Sequence, residues 1–207
     1  YVFPSVDGYD AYWHVNISEL ISYYNHIPPF EITNKYYYYP LLHILISMTK
    51  LFLKVEIKDA LFYSVGISSI LTSVFIFLIV KSLTGAKAGL LATLLVNIDN
   101  QLIVRGIANV TPDSLVTIYL LIVLYLLLVE ENEIFPKNLI KIFLAFAIII
   151  THQLSTLVAL ITLIFIYFVR YLYKIFYDDK EEVNFDYILL FTLAMMTYWM
   201  YTYFTTG

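Results

Sequence analysis

The sequence predicts an all-α fold: a polytopic transmembrane helical bundle with an outer-face loop containing short interfacial helices. Three observations predict it. The 207 residues are 61% hydrophobic and 14% charged, with mean hydropathy +0.79, whereas soluble domains are about half apolar and about a quarter charged. The apolar residues gather in runs close to the roughly 20 residues that cross a bilayer as a helix. The runs lack the alternation of barrel strands, and lipid admits only helices or closed barrels because every backbone polar group must be satisfied internally. Cysteine is absent, which excludes disulfides and thiolate metal sites. The net charge of −4 comes with no basic tract, so no nucleic-acid partner is expected. The chain opens on Tyr1 rather than Met and closes on Gly207 just after an apolar run, so it reads as an N-terminal fragment of a longer protein.

Taken in order, residues 1–207 form one transmembrane domain. Residues 1–58 make the first outer loop, with Pro4 and Gly8 at its entry and Pro28-Pro29 closing the segment after His26. Within it, 41–58 reads as a helix lying flat in the headgroup plane. Pro40 opens it, at a position where proline is tolerated. His43, Ser47, Lys50, Lys54 and Lys58 recur at steps of four, three, four and four, one polar stripe along an otherwise apolar helix. The alternative is that 41–58 is a short span. Six spans follow, near 60–80, 88–104, 115–129, 142–150, 154–169 and 187–204. "LTGAK" is a tight turn between the first two. Pro112-Asp113 opens the third, with Thr111 as its N-cap. "THQLST" is a tight hairpin between the fourth and fifth.

A flat 41–58 helix sets the topology. The first loop, the segment "RGIANVTPD" and "THQLST" then share one membrane face. Lys81, Lys87, Lys137, Lys141, Arg170, Lys174 and Lys180 collect on the other. By the positive-inside rule the lysine face is cytoplasmic and the acidic face extracytoplasmic. A spanning 41–58 inverts this and separates the first loop from the other two segments.

The extracytoplasmic face collects Asp7, Asp10, His14, Glu19, His26, Glu31, Asp113 and His152. Asp10 and His14 stand at i and i+4, hence on one face of a helix. Asp113 opens a helix, where the dipole stabilises a carboxylate. Two carboxylates from separate loops can act as a base and an orienting group, or share a divalent cation through oxygen ligands. Plainer readings stand beside these. Asp7 before Gly8 fits turn chemistry, and a lone Asp113 fits a helix cap. Trp13 and Tyr36–Tyr39 fit an interfacial aromatic belt. Arg105 fits a snorkelling span end, and His152 fits a helix-end hydrogen bond. His43 is expected at the interface with its stripe. Asp99, in "NIDNQ", is an ionisable residue near membrane depth and so a functional candidate.

The layout resembles the GT-C superfamily of polytopic glycosyltransferases, which includes the catalytic subunits of oligosaccharyltransferases and the protein O-mannosyltransferases. "DAYWH" (Asp10–His14) is similar to the family's acidic first-loop motif, with Asp7 of "VDGYD" as a rival. "YYYYPLLHIL" resembles the entry to the second outer-loop helix. "RGIANVTPDSL" places Asp113 at the second acidic motif, and "THQLSTL" looks like the histidine-containing turn of archaeal members. Two departures matter. Asp113 stands without the second acidic residue usual in oligosaccharyltransferases, which favours a monosaccharide-transferring member. The Trp-Trp-Asp motif of oligosaccharyltransferases is absent, and it would lie beyond Gly207.

The resemblance implies an integral protein of the cell membrane with its site on the extracytoplasmic face. It would transfer a sugar, with inversion, from a polyprenyl- or dolichyl-phosphate donor to a protein, lipid or glycan acceptor. Asp10, Asp113 and Asp7 are the candidate catalytic carboxylates. His14, Arg105, His152 and Trp13 are the candidate donor or acceptor contacts, and Asp10 with Asp113 is the candidate pair for Mg²⁺ or Mn²⁺. The rival readings are a transporter or flippase fragment, whose charges would line a midplane path, and a non-catalytic membrane scaffold.

Overall fold

The computed structural model describes residues 9–68, 70–98, 111–128, 135–177 and 185–206. Among these the fold is helical, with no strand. The outer layer comprises α1 (Tyr9–Tyr24), the short α2 (Phe30–Thr33) with a 3₁₀ turn at Asn34–Tyr37, and α3 (Leu41–Leu53). The bundle comprises α4 (Ile57–Leu61), α5 (Ile70–Thr84), α6 (Ala86–Ile98), α7 (Pro112–Leu128), α8 (Phe135–Ile149), α9 (Gln153–Tyr177) and α10 (Asp186–Thr206). A π-helical turn, Phe62–Gly66, follows α4. Two stretches, Ile57–Thr84 and Gln153–Phe176, are long and apolar enough to cross a membrane. At 1.5 Å per residue each exceeds a hydrocarbon core of about 30 Å. Together with the shorter apolar helices they make an all-α membrane protein.

The expected 41–58 helix is two pieces. It stops after Leu53 because Lys54 takes the left-handed conformation (φ 54, ψ 41), a common helix terminator. Lys58 belongs to α4, where it pairs with Glu56 at 3.0 Å. The polar stripe also faces elsewhere than expected. His43 and Ser47 are buried against α1, and Lys50 Nζ reaches Glu19 Oε1 at 2.5 Å. The exposed residues of α3 are instead Met48, Leu51, Phe52 and Leu53. A second helix, rather than headgroups, covers the polar face.

Small residues permit the tight α5–α6 hairpin. Gly85 adopts φ +102, a backbone region that disfavours side chains. At Gly89 a Cβ would stand 3.0 Å from the Phe77 carbonyl oxygen, so glycine there lets the two helices approach closely. The main core joins α5, α7, α8, α9 and α10 through Ile79, Val123, Ile148, Leu163 and Phe191. A second cluster joins Val15 of α1, Leu42 and Ile46 of α3, Ala60 and Leu61 of α4, Val65 of the π turn and Leu115 of α7.

These clusters fix which ends lie together. Val15 and Leu115 share a core, and the Leu41 amide donates to Ile150 O at 3.5 Å. The first loop, the start of α7 and the α8–α9 turn therefore form one end of the bundle. At the other end Arg170 Nη1 donates to Leu127 O (3.1 Å) and Tyr187 Oη donates to Lys141 O (3.2 Å). Helix direction puts Lys81, Lys87, Lys137 and Lys174 at that second end too. Charged residues in α5 to α10 lie toward the helix ends, apart from Lys141 near the middle of α8.

Candidate functional site

Asp113 occupies the first turn of α7, which begins at Pro112. Thr111 caps it through its backbone: Thr111 O accepts from the Ser114 amide at 3.1 Å. The Thr111 hydroxyl, expected to cap, finds no partner among the described residues. The α8–α9 turn is three residues long, as "THQLST" predicts, and hydroxyls close it. Thr156 Oγ1 donates to Ile148 O (3.0 Å) and His152 O (2.7 Å).

This turn delivers His152 and Ser155 to Asp113. Ser155 Oγ donates to Asp113 Oδ1. His152 Nδ1 lies 2.7 Å from Ser155 Oγ and 3.2 Å from Asp113 Oδ1. The serine proton points at the carboxylate, so the contact with His152 requires Nδ1–H as the donor. The side chains of Asp113 and His152 are 44% and 19% exposed, so the carboxylate opens to the surroundings while its holders sit deeper. Asp113 and His152 were expected at one surface, and they meet. Ser155 was missed, although its i+3 spacing from His152 in "HQLS" puts both on one helix face.

The second histidine constellation is closed. His14 Nδ1 and His43 Nε2 are 2.9 Å apart, and the two residues are 1% and 0% exposed. Tyr36 packs edge-on to both rings, at 4.9 and 5.1 Å. Ser47 Oγ adds a hydrogen bond to Ser18 O (2.7 Å), fastening α3 to α1. Burial first, and the His14 charge second, push His43 down to about 3. His43 is thus buried and neutral rather than interfacial, and the His14 ring, also buried, faces His43 of α3. Trp13 is half-buried on Ile17, Ile21 and Tyr36.

The tyrosine run docks rather than forming a belt. Tyr36, Tyr38 and Tyr39 are buried and only Tyr37 is exposed. Tyr198 Oη of α10 donates to Tyr38 O, and Tyr39 bonds the Thr202 side chain. Burial raises the Tyr39 phenol above its ordinary value, against the lowering effect of that bond.

Asp10 lies in the first turn of α1, one turn before His14; its side chain, and Asp7, Asp99 and Arg105, are outside the described residues. Among the described residues no three His, Asp or Glu side chains gather as ligands for a cation.

The family model of dolichyl-phosphate-mannose-protein mannosyltransferases matches residues 40–171, more than half of the chain, and the chain belongs to that family of membrane glycosyltransferases. The match runs from the start of α3 into α9, enclosing His43, Asp113, His152 and Ser155, with Asp10 ahead of it. No curated protein and no solved structure matches the chain.

Proposed function

We propose that this protein transfers a single sugar, mannose by its family, from a dolichyl- or polyprenyl-phosphate donor to an acceptor hydroxyl at the extracytoplasmic face. The observation that carries the reading is the held Asp113 carboxylate, at the bundle end that also bears α1 and lies opposite Lys81, Lys87, Lys137 and Lys174. The positive-inside rule assigns the end with those four lysines to the cytoplasm. The donor's tail stays in lipid while its headgroup reacts at that outer end.

The chemistry is an inverting displacement. The acceptor oxygen bonds to the anomeric carbon on the face away from the phosphate. Its proton passes to a carboxylate, and the carbon–oxygen bond to the phosphate breaks, its electron pair leaving with the polyprenyl phosphate. Asp10 takes the proton, and Asp113 orients the acceptor. Asp7 is the alternative base, because Asp-Gly-Tyr precedes Asp10 directly. Arg105 meets the leaving phosphate, where a cationic donor stabilises the developing charge. His14 we assign to the α1–α3 seam, because its buried ring bonds His43. If a Mg²⁺ or Mn²⁺ ion takes part, Asp10 and Asp113 would hold it, and it would supply charge stabilisation for the leaving phosphate. A protein acceptor follows the family description; a lipid or glycan acceptor uses the same hydroxyl chemistry. The scarcity of charges in the middles of the spans disfavours a transport path.

The test is Asp10→Ala in the full chain, reconstituted with a labelled dolichyl-phosphate sugar. Loss of transfer by about 100-fold or more, with unchanged expression, is expected for a general base. Wild-type transfer by the variant would remove Asp10 from the reaction.

A further inference from the structure

We propose that Ser155, backed by His152, is a positioning residue for the Asp113 carboxylate, fixing its rotation so that it orients the acceptor hydroxyl. The inference rests on the reading of Asp113 given above. Three observations support it.

The first is where the Ser155 hydroxyl goes. Helical serines and threonines commonly bond back to a carbonyl of their own helix, and most here do so: Thr117 to Asp113 O, Thr156 to His152 O and Thr162 to Val158 O. Ser155 instead reaches across 42 residues to another helix. A buried serine (8% exposed) thereby serves a half-exposed carboxylate.

The second is the direction of the donors. Ser155 Oγ donates to Asp113 Oδ1, and His152 Nδ1 stands 2.7 Å from that hydroxyl and 3.2 Å from the same carboxylate oxygen. Asp113 also lies in the first turn of α7, beside the first turn of α9 that carries Ser155, so two helix N-termini converge on it. A carboxylate held this way is a fixed hydrogen-bond acceptor for a sugar or acceptor hydroxyl.

The third is what the cluster is not. A nucleophilic serine relay needs the hydroxyl on one ring nitrogen and the carboxylate on the other. Here a single nitrogen, Nδ1, faces both, and the serine proton points at the carboxylate. The geometry holds Asp113; it does not activate Ser155.

The test uses the full chain in liposomes with a labelled dolichyl-phosphate sugar, comparing Ser155→Ala, Ser155→Thr and Asp113→Asn. Ser155→Ala is expected to lower kcat about 10- to 100-fold, the scale of a misplaced group, with the donor KM unchanged. Ser155→Thr should restore most of the rate, and Ser155→Ala on top of Asp113→Asn should add no further loss. A wild-type rate for Ser155→Ala, or losses that multiply independently, overturns the proposal. Full activity of Asp113→Asn would instead defeat the reading of Asp113 itself, so the two failures are distinguishable. If Ser155→Ala does not accumulate as folded protein, His152→Asn against His152→Phe carries the comparison. Only the asparagine, which keeps an N–H donor, should retain most of the wild-type rate, and equal rates for the two variants overturn the proposal.

Discussion

The two histidine constellations at the outer end set one residue type in opposite surroundings. His14 and His43 meet ring to ring under Tyr36 in a buried seam. His152 meets a carboxylate and a hydroxyl at a half-open surface. Burial penalises the protonated form of His43, and the His14 charge adds to the penalty. The closed pair therefore works as a buried hydrogen bond that sets the roll of α1 on α3, one turn after Asp10. The open cluster gathers a hydroxyl and a ring nitrogen on a carboxylate. Position relative to charge and solvent, more than residue type, divides structure from chemistry here.

The largest effect that separates the two is on stability. His43→Ala removes a buried ring and strands the His14 nitrogen, and by analogy with buried large-to-small changes it should cost about 2–4 kcal/mol. Thermal melting of the purified chain measures it, and His152→Ala should melt close to wild type. Equal melting losses for the two would erase the distinction.

A smaller effect comes with acid. The folded-state value of His43 is lowered, from an ordinary 6.5 to about 3. Between those values the unfolded chain binds the proton and the folded chain does not. The contribution is therefore complete above about pH 6.5 and declines as pH falls toward 3. Melting at pH 5 should lie below melting at pH 7.5, and His43→Phe should narrow the gap. An unchanged gap in that variant would place the acid sensitivity elsewhere.

What the sequence disclosed follows from the range of each interaction. The bundle was legible because apolar runs report burial locally, and "LTGAK" and "THQLST" name their own turns. The grouping of the first loop with Asp113 and His152 followed from the polar stripe on α3, yet the stripe's partner was misjudged. Period alone cannot tell a face turned to headgroups from one turned to another helix, and Glu19 of α1 is 31 residues from Lys50. Tyr38 resembled a belt residue because its partner, Tyr198, is 160 residues away. His14 drew attention through its spacing from Asp10, but its buried partner His43 is 29 positions on. Ser155 was within reach of the i, i+3 rule and needed only the question of what a serine beside His152 would hold.

The measurement that bears most directly on the central claim is sugar transfer by Asp113→Asn. The full chain and the variant, equal in expression and melting, are given a labelled dolichyl-phosphate sugar and acceptor in liposomes. The account predicts turnover by the wild type and a loss of about 100-fold or more in the variant, within the range of charged groups that act in the transition state. Equal transfer by both would contradict it.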